Sequence, residues 1–500
     1  MHATRRTTVR TSPRRGRILL LLTVLVIAAA AFRLFRIGEK SLWLDEIMTV
    51  HFSLISCPPR FPHLDAHDAH PPLFQIIEWL WLRFGSGDGF ARLPAAFFGI
   101  AGVALTWLVA RRLAGRFAAG LASIIMAVSW FHVYYSQEAR LHTMATALVL
   151  LQVYLLIRIL DRGGRAGWGL WAAYGVVILA SLYTYALCIL TIAAAGLAYL
   201  LLNMRRRRWQ WTQLIVTHAA VALLFLPWLP TMRTRTSELS QSVAELGDSA
   251  GRPALTEILR GVASWGIGPV DWSVASSAGL AVGLALVVFA VAGFAFRRRR
   301  RPVILLGVLF FLPLAGYWLM PMPRVHAYDP KHLVFLQPLL VIALAGFRLP
   351  LKLPARHAHK PALYLAVLLA VANLWMLSDY YRPGFHKEQW RQVHADLAVN
   401  LRSNDGIVPN PEYIGFAIEH YARDPEERAA LRESIAQTHI GRPVNRIWLV
   451  ECRSPVARPE AHILSAILES GWAPAREKAY PGHIGNIRTV LFVRPEAMDR

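Results

Sequence analysis

A chain of 500 residues that is 55% hydrophobic, with a mean hydropathy of +0.37, is too apolar for an ordinary soluble protein. Its apolar residues come in blocks of about twenty, the length of a helix crossing a hydrocarbon core, so the fold class is a polytopic α-helical membrane protein. A net charge of +23 would suggest nucleic acid in a soluble chain; here the arginines fall between apolar blocks, where membrane orientation accounts for them, and no nucleic-acid partner is expected.

A basic head, Arg5 to Arg17, precedes an apolar run from Ile18 to about Phe35. The run is long and has no A-x-A site before Arg33 and Arg36, so it reads as an uncleaved signal anchor rather than a signal peptide. Eleven spans are expected, at about 18–36, 90–110, 117–135, 140–160, 167–185, 187–204, 211–230, 274–296, 302–320, 332–350 and 361–379. The weakest division lies between the fifth and sixth, around Tyr183 to Cys188. With that division kept, the basic clusters at Arg5–Arg17, Arg111/Arg112/Arg116, Arg158/Arg162/Arg165, Arg205–Arg208, Arg297–Arg301 and Arg348–Lys360 all share one side. The positive-inside rule makes that side cytoplasmic.

The loop at 37–89, the segment at 231–273 and everything after Asp379 then lie outside the cytoplasm. The cytoplasmic loops are short, and neither a P-loop nor GxGxxG occurs, so a nucleotide-driven reaction inside is not expected. From about 380 to 500 charges of both signs return, as in a small α/β domain docked on the outer face. A helix is expected from His386 to Leu401, strands at Arg446–Val450 and Thr489–Val493, and a helix over Ala461–Gly471 between them. Cys57, Cys188 and Cys452 carry no metal or redox spacing; Cys57 and Cys452 share the outer side, which admits a disulfide, and two unrelated thiols are the plainer reading.

The chemistry concentrates in the first outer loop. Asp45 and Glu46 follow the first span within Ser41-Leu-Trp-Leu-Asp45-Glu46, at the membrane boundary, where a carboxylate needs a partner or a task. Proximity raises the pKa of one of two neighbouring carboxyls, which suits a general base. Equally, Asp then Glu is an ordinary start for a short helix, Ile47–Ser56. His70-Pro71-Pro72-Leu73 leads into an amphipathic, tryptophan-bearing stretch from Leu73 to Phe84, suited to the interface. His51, His63, His67, Asp65 and Asp68 are irregularly spaced and read as a solvated loop; a divalent cation (Mg or Mn) at Asp45, Glu46 and His70 is the cofactor the pattern admits.

Tyr134-Tyr135-Ser136-Gln137-Glu138-Ala139-Arg140 ends the third span at the same outer level. Arg140 there can hold a phosphate or snorkel to headgroups, and Glu138 is a neighbouring substrate contact. Arg92, Tyr183, Tyr185 and the Arg324-Val-His326-Ala-Tyr328-Asp-Pro-Lys331-His332 loop share this level. The loop sets cations outside in a chain that otherwise keeps them inside.

Taken together, SLWLDE, HPPLF, RLPAAFFGIAGVALTWLVARRLAGR and YYSQEAR resemble bacterial membrane glycosyltransferases related to protein O-mannosyltransferases. This GT-C fold group includes the lipid A aminoarabinose transferase and families 39 and 83; the likeness is strong from about 38 to 145. It implies transfer of a sugar, usually with inversion, from a polyprenyl-phosphate carrier to a lipid, glycan or protein acceptor outside the cytoplasm of a bacterial inner membrane. The family's acidic residue falls on Asp45 as general base, with Glu46 as helper or metal ligand. Its arginine falls on Arg140 for the carrier phosphate, with Lys331 and Arg324 as further phosphate ligands. His142 stands where relatives typically have tyrosine. A transporter or flippase of lipid-linked sugars would need charges at span centres and internal repeats, which the sequence lacks. A non-catalytic assembly protein is the third reading, disfavoured by the joint presence of Asp45, Glu46 and Arg140.

Overall fold

The computed structural model describes residues 13–55, 70–204, 209–234, 237, 250–268, 276–295, 300–320, 322–323, 329–347, 359–439, 444–454 and 457–494. Among these, six helices are long and apolar enough to cross a membrane: Asp88–Leu113, His142–Arg162, Ala186–Asn203, Trp211–Thr234, Arg300–Leu319 and Lys360–Tyr380. A seventh span arises if the bent pair Arg116–Val128 and Trp130–Ser136 is taken as one. The four other expected spans hold shorter apolar helices, Leu20–Leu34, Trp168–Thr184, Ser277–Ala292 and Pro330–Ala345. Among the described residues six or seven spans qualify by length and composition, so the count of eleven is not confirmed. Local backbone is the reason in two of the four: Trp168–Thr184 stops at an extended Tyr185, and the last begins as a 3-10 turn kinked at Leu333.

The N-terminal helices are α1 (Pro13–Leu34), α2 (Leu44–Ile55), α3 (Leu73–Trp81), α4 (Asp88–Leu113), α5 (Arg116–Val128), α6 (Trp130–Ser136) and α7 (His142–Arg162). A 56° bend separates α5 from α6 at Ser129. A break inside a membrane is tolerated only where the freed backbone groups find partners, and here they do. Arg33, fully buried, donates to the carbonyls of Met126 at 3.0 Å and Ala127 at 3.1 Å and meets His132 Nδ1 at 2.8 Å. The Trp130 amide donates to Asn373 Oδ1 at 2.7 Å. The break therefore fixes where α6 ends, and with it the Gln137–Arg140 segment. Gln137 Nε2 is tied in turn to the carbonyls of Arg33 and Phe35.

At the opposite end of α7, Arg112 and Arg301 both pair with Asp161, at 2.9 and 2.8 Å. The ends of α4 and α7 and the start of Arg300–Leu319 are thus neighbours, as a shared basic face requires. Arg205–Arg208 and Arg297–Arg299 lie outside the described residues, as do Cys57 and residues 235–236, 238–249 and 269–273 of the 231–273 segment. Helix Leu255–Ile267 of that segment is described; its buried Trp265 donates from Nε1 to the Pro330 carbonyl at 3.1 Å. Cys188 and Cys452 are free, buried thiols.

The C-terminal region is α/β. Helix Trp390–Asn400 precedes a four-stranded sheet of β1 (Asp405–Asn410), β2 (Arg446–Arg453), β3 (Ala473–Tyr480) and β4 (Asn486–Val493), in spatial order β1-β2-β4-β3. β1 and β2 are parallel; the other pairs are antiparallel. Alternation along β2 serves two cores. Ile447 and Leu449 pack with Ile467, Trp472, Val490 and Phe492. Trp448, Val450 and Cys452 pack with Trp390, Val393 and Leu397, in a cluster continuous with Leu42, Leu44, Ile47 and Val50. The sheet domain thus shares its core with α2, the helix that carries Asp45 and Glu46.

Candidate active site

α2 begins at Leu44, one turn earlier than the sequence suggests, so both acids fall in its first turn. They do different things. Glu46 Oε2 reaches back to the Trp43 amide at 3.2 Å, the glutamate half of a capping box. Arg92 grips the same carboxylate from Nε and Nη2, each at 2.7 Å, and Oε1 also accepts the Ala139 amide at 2.8 Å. Burial alone would push the Glu46 carboxyl up; the Arg92 guanidinium outweighs it and holds Glu46 below the usual carboxylate range. Arg92 spends its remaining donors on the carbonyls of Ile37, Lys40 and Ser41. Two expectations are corrected here. Glu46, with four N–H donors on two oxygens, has no lone pair left for a metal, and Arg92 clamps the first outer loop rather than a substrate.

Asp45 is left for chemistry. Its side chain is 11% exposed and its Oδ2 lies 3.5 Å from Arg140 Nη2. Arg140 Nη1 also donates to Thr49 Oγ1 at 3.0 Å and to the Asp45 carbonyl at 3.3 Å. The guanidinium therefore lies along the first turn of α2. Lys331 pairs with Asp329 at 3.1 Å, stands 5.6 Å from the centre of the Trp43 ring, and is close enough to Asp45 and Glu138 to feel both charges. Beneath Arg140 the rings of Tyr135, His142, Tyr185 and His70 follow one another edge to face, at 5.1, 6.2 and 5.5 Å between centres. Asp45, Arg140, Lys331, His70 and Tyr185 thus gather in one place, from five separate stretches of chain.

Two expected site residues fall elsewhere. Glu138 is fully buried, its Oε1 2.9 Å from Lys387 Nζ, and so faces the C-terminal domain instead of a substrate. Tyr183, on the side opposite Tyr185, donates to the Leu224 carbonyl at 2.9 Å and packs on Phe225. Arg324 lies outside the described residues. No group of three or more His, Cys, Asp or Glu side chains converges among the described residues. With Glu46 saturated, the set Asp45, Glu46 and His70 does not fit a divalent cation.

Sequence reasoning missed three buried groups. Lys387 Nζ lies 4.1 Å over the Tyr134 ring; burial lowers its pKa, against the pull of Glu138. Burial likewise raises Glu138, against the pull of Lys387. Glu388, wholly buried, accepts from the Leu44 amide at 2.8 Å and Trp390 Nε1 at 2.7 Å, and burial pushes its pKa up to about 7. Glu78 of α3 is the third: neither oxygen accepts a hydrogen bond among the described residues, and burial, helped by Glu46, pushes its carboxyl well above the usual range. Lys387-Glu388, separated from Trp390 by one residue and just beyond the last apolar block, was the available signal for the first two.

Residues 69–230 match the sequence model of the dolichyl-phosphate-mannose-protein mannosyltransferase family. The structure aligns with that of ArnT from Cupriavidus metallidurans in the apo state over 96% of this chain and 98% of that one, with a TM-score of 0.57 at 14% identity. This is the GT-C fold. The same GT-C protein bound to undecaprenyl phosphate aligns over 95% of this chain and 98% of that one, with a TM-score of 0.56 at 15% identity. An oligosaccharyltransferase from Archaeoglobus fulgidus, tethered to an acceptor peptide, covers 87% of this chain and 69% of its own, with a TM-score of 0.50 at 11% identity. No curated protein sequence matches the chain.

Proposed function

We propose that the protein is an inverting glycosyltransferase that moves a sugar from a polyprenyl-phosphate carrier to a lipid, glycan or protein acceptor on the extracytoplasmic face of a bacterial inner membrane. The observation that carries this is Asp45 Oδ2 lying 3.5 Å from Arg140 in a GT-C fold, with Lys331 in electrostatic reach of Asp45. Asp45 lies in the first turn of α2. It takes the proton of the acceptor hydroxyl as that oxygen attacks the anomeric carbon. The bond from that carbon to the phosphate oxygen breaks, and its electron pair leaves with the polyprenyl phosphate. Arg140 and Lys331 offset the charge that develops there, so the leaving group needs no nucleotide. A single carboxylate suffices for direct inversion, whereas a hydrolase scheme would need two.

Orientation follows from charge. Arg112 and Arg301 mark one end of the bundle and Asp45 the other, so a cytoplasmic basic end puts the acceptor side outside. The test is turnover of a panel of radiolabelled polyprenyl-phosphate sugars by purified protein in nanodiscs. Transfer or release from one donor by the wild type, abolished in Asp45→Asn, is the expected result. Equal activity in Asp45→Asn would remove Asp45 as the base, and binding of carrier lipid without turnover of any donor would favour transport.

A further inference from the structure

We propose that Lys387 and Glu388, at the entry to the C-terminal domain, are positioning residues of the active site: they lock the helix that carries Asp45 and the segment that carries Arg140 into one geometry. The proposal rests on the reading of Asp45 as the general base.

The start of a helix leaves amides without intrahelical acceptors. At α2, the Leu44 amide is one of them, and its acceptor is Glu388 Oε2 at 2.8 Å, 344 positions away in sequence. Asp45 is the next residue, so the position of the proposed base is referred directly to the C-terminal domain. Lys387 does the corresponding work on the facing wall. Its Nζ meets Glu138 Oε1 at 2.9 Å and the Gln137 carbonyl at 3.4 Å, within three residues of Arg140. Two consecutive side chains thus hold the two walls between which carboxylate and guanidinium face each other.

The dipeptide is gripped from behind by the turn between β3 and β4. The Lys387 carbonyl accepts the amides of Ile484 at 3.1 Å and Gly485 at 3.4 Å, and the His386 carbonyl accepts that of His483 at 2.7 Å. A Cβ on Gly482 would overlap the Lys387 carbonyl, and one on Gly485 would stand 2.8 Å from Glu388 Oε1. Glycine is required at both by close approach. A buried lysine and a buried glutamate contribute less to stability than apolar side chains of their size, so fold maintenance alone does not account for them. Their partners do, since each reaches one residue of the proposed machinery through one intermediate.

The test uses the full-length protein and four variants, Glu388→Ala, Glu388→Gln, Lys387→Met and Gly485→Ala. It measures kcat and donor KM with a polyprenyl-phosphate sugar, and hydrogen exchange over 42–50. In Glu388→Ala, kcat is expected to fall about tenfold, as for loss of a hydrogen bond to a charged group, with donor KM unchanged and exchange protection at Leu44 lost. Glu388→Gln, whose amide oxygen accepts the same two N–H groups, restores both. Lys387→Met lowers kcat and leaves exchange at Leu44 as it was. If Glu388→Ala does not fold, Gly485→Ala carries the test, with the same pattern expected of it. Unchanged exchange and kcat in a folded Glu388→Ala would overturn the proposal, as would a Gln variant no better than Ala. Should the wild type turn over no donor, loss of protection in Glu388→Ala would still support the cap while the glycosyltransferase reading falls, and unchanged protection would overturn the cap itself.

Discussion

Arg92 and Glu46 meet through two hydrogen bonds of 2.7 Å, with the guanidinium 2% exposed and the carboxylate not at all. The pair joins α4 to α2 and, through the Ala139 amide, to the segment after α6. Removing one member leaves the other buried and uncompensated. Arg92→Ala is therefore expected to cost about 3–5 kcal/mol, read as a lower melting temperature and yield in detergent. Arg92→Lys cannot reproduce the paired donors and recovers only part of this.

Asp45→Asn removes the proton acceptor while keeping the shape. Transfer is expected to fall by about 10²–10⁴-fold, with the melting temperature unchanged, because among the described residues the side chain's ion-pair contact is a 3.5 Å approach to Arg140. Loss of activity accompanied by loss of folded protein would place Asp45 among the structural acids instead.

Arg140→Lys and Lys331→Met should weaken the carrier phosphate's hold. Arg140→Lys forfeits paired donation to a phosphate, so a donor KM raised about tenfold or more is expected, with a smaller change in acceptor KM. Equal changes in both would point to collapse of the α2 first turn, where Arg140 also holds Thr49.

Glu78 supplies a pH signature. Its carboxyl titrates well above the usual range because burial disfavours the charge. The folded state then keeps a proton that the unfolded state releases above about pH 4.5. Stability contributed by this group is complete below that pH and is lost as pH rises toward the folded value. Glu78→Gln, permanently neutral, should remove this decline: its melting temperature exceeds that of the wild type at pH 8, and the difference shrinks at pH 5. An equal offset at both would show that the carboxyl is charged when buried.

Chelation separates two chemistries. With Glu46 saturated by four N–H donors, the proposed transfer proceeds without a divalent cation at that carboxylate. Turnover is expected to survive EDTA, and its loss, restored by Mg or Mn, would require Asp45 to bind metal with ligands other than Glu46.

Periodicity and charge carried much of the fold. Each apolar block holds an apolar helix, and the strands at 446–450 and 489–493 sit inside β2 and β4. Length alone misleads where the backbone breaks, because an extended Tyr185 or a kink at Leu333 leaves hydropathy unchanged. The site was readable only in part. Asp45 and Glu46 look equivalent in a string of letters; a helix starting at Leu44 makes one a cap and frees the other. Tyr183 and Tyr185 likewise separate only once the helix ends between them. Lys387 and Glu388 carried only a local hint in their place ahead of Trp390, since nothing local identifies a partner hundreds of residues earlier.

The grip of the β3–β4 turn on Lys387 and Glu388 also sets a schedule. α2 and the Gln137–Arg140 segment are synthesised early, but the backbone that carries the acceptor for the Leu44 amide is gripped by a late hairpin at 473–493. During biogenesis the helices can enter the bilayer and pack while the proposed base still lacks its brace. Activity would then appear late and all at once, when the hairpin closes, and a nascent chain would be silent toward the carrier lipids around it.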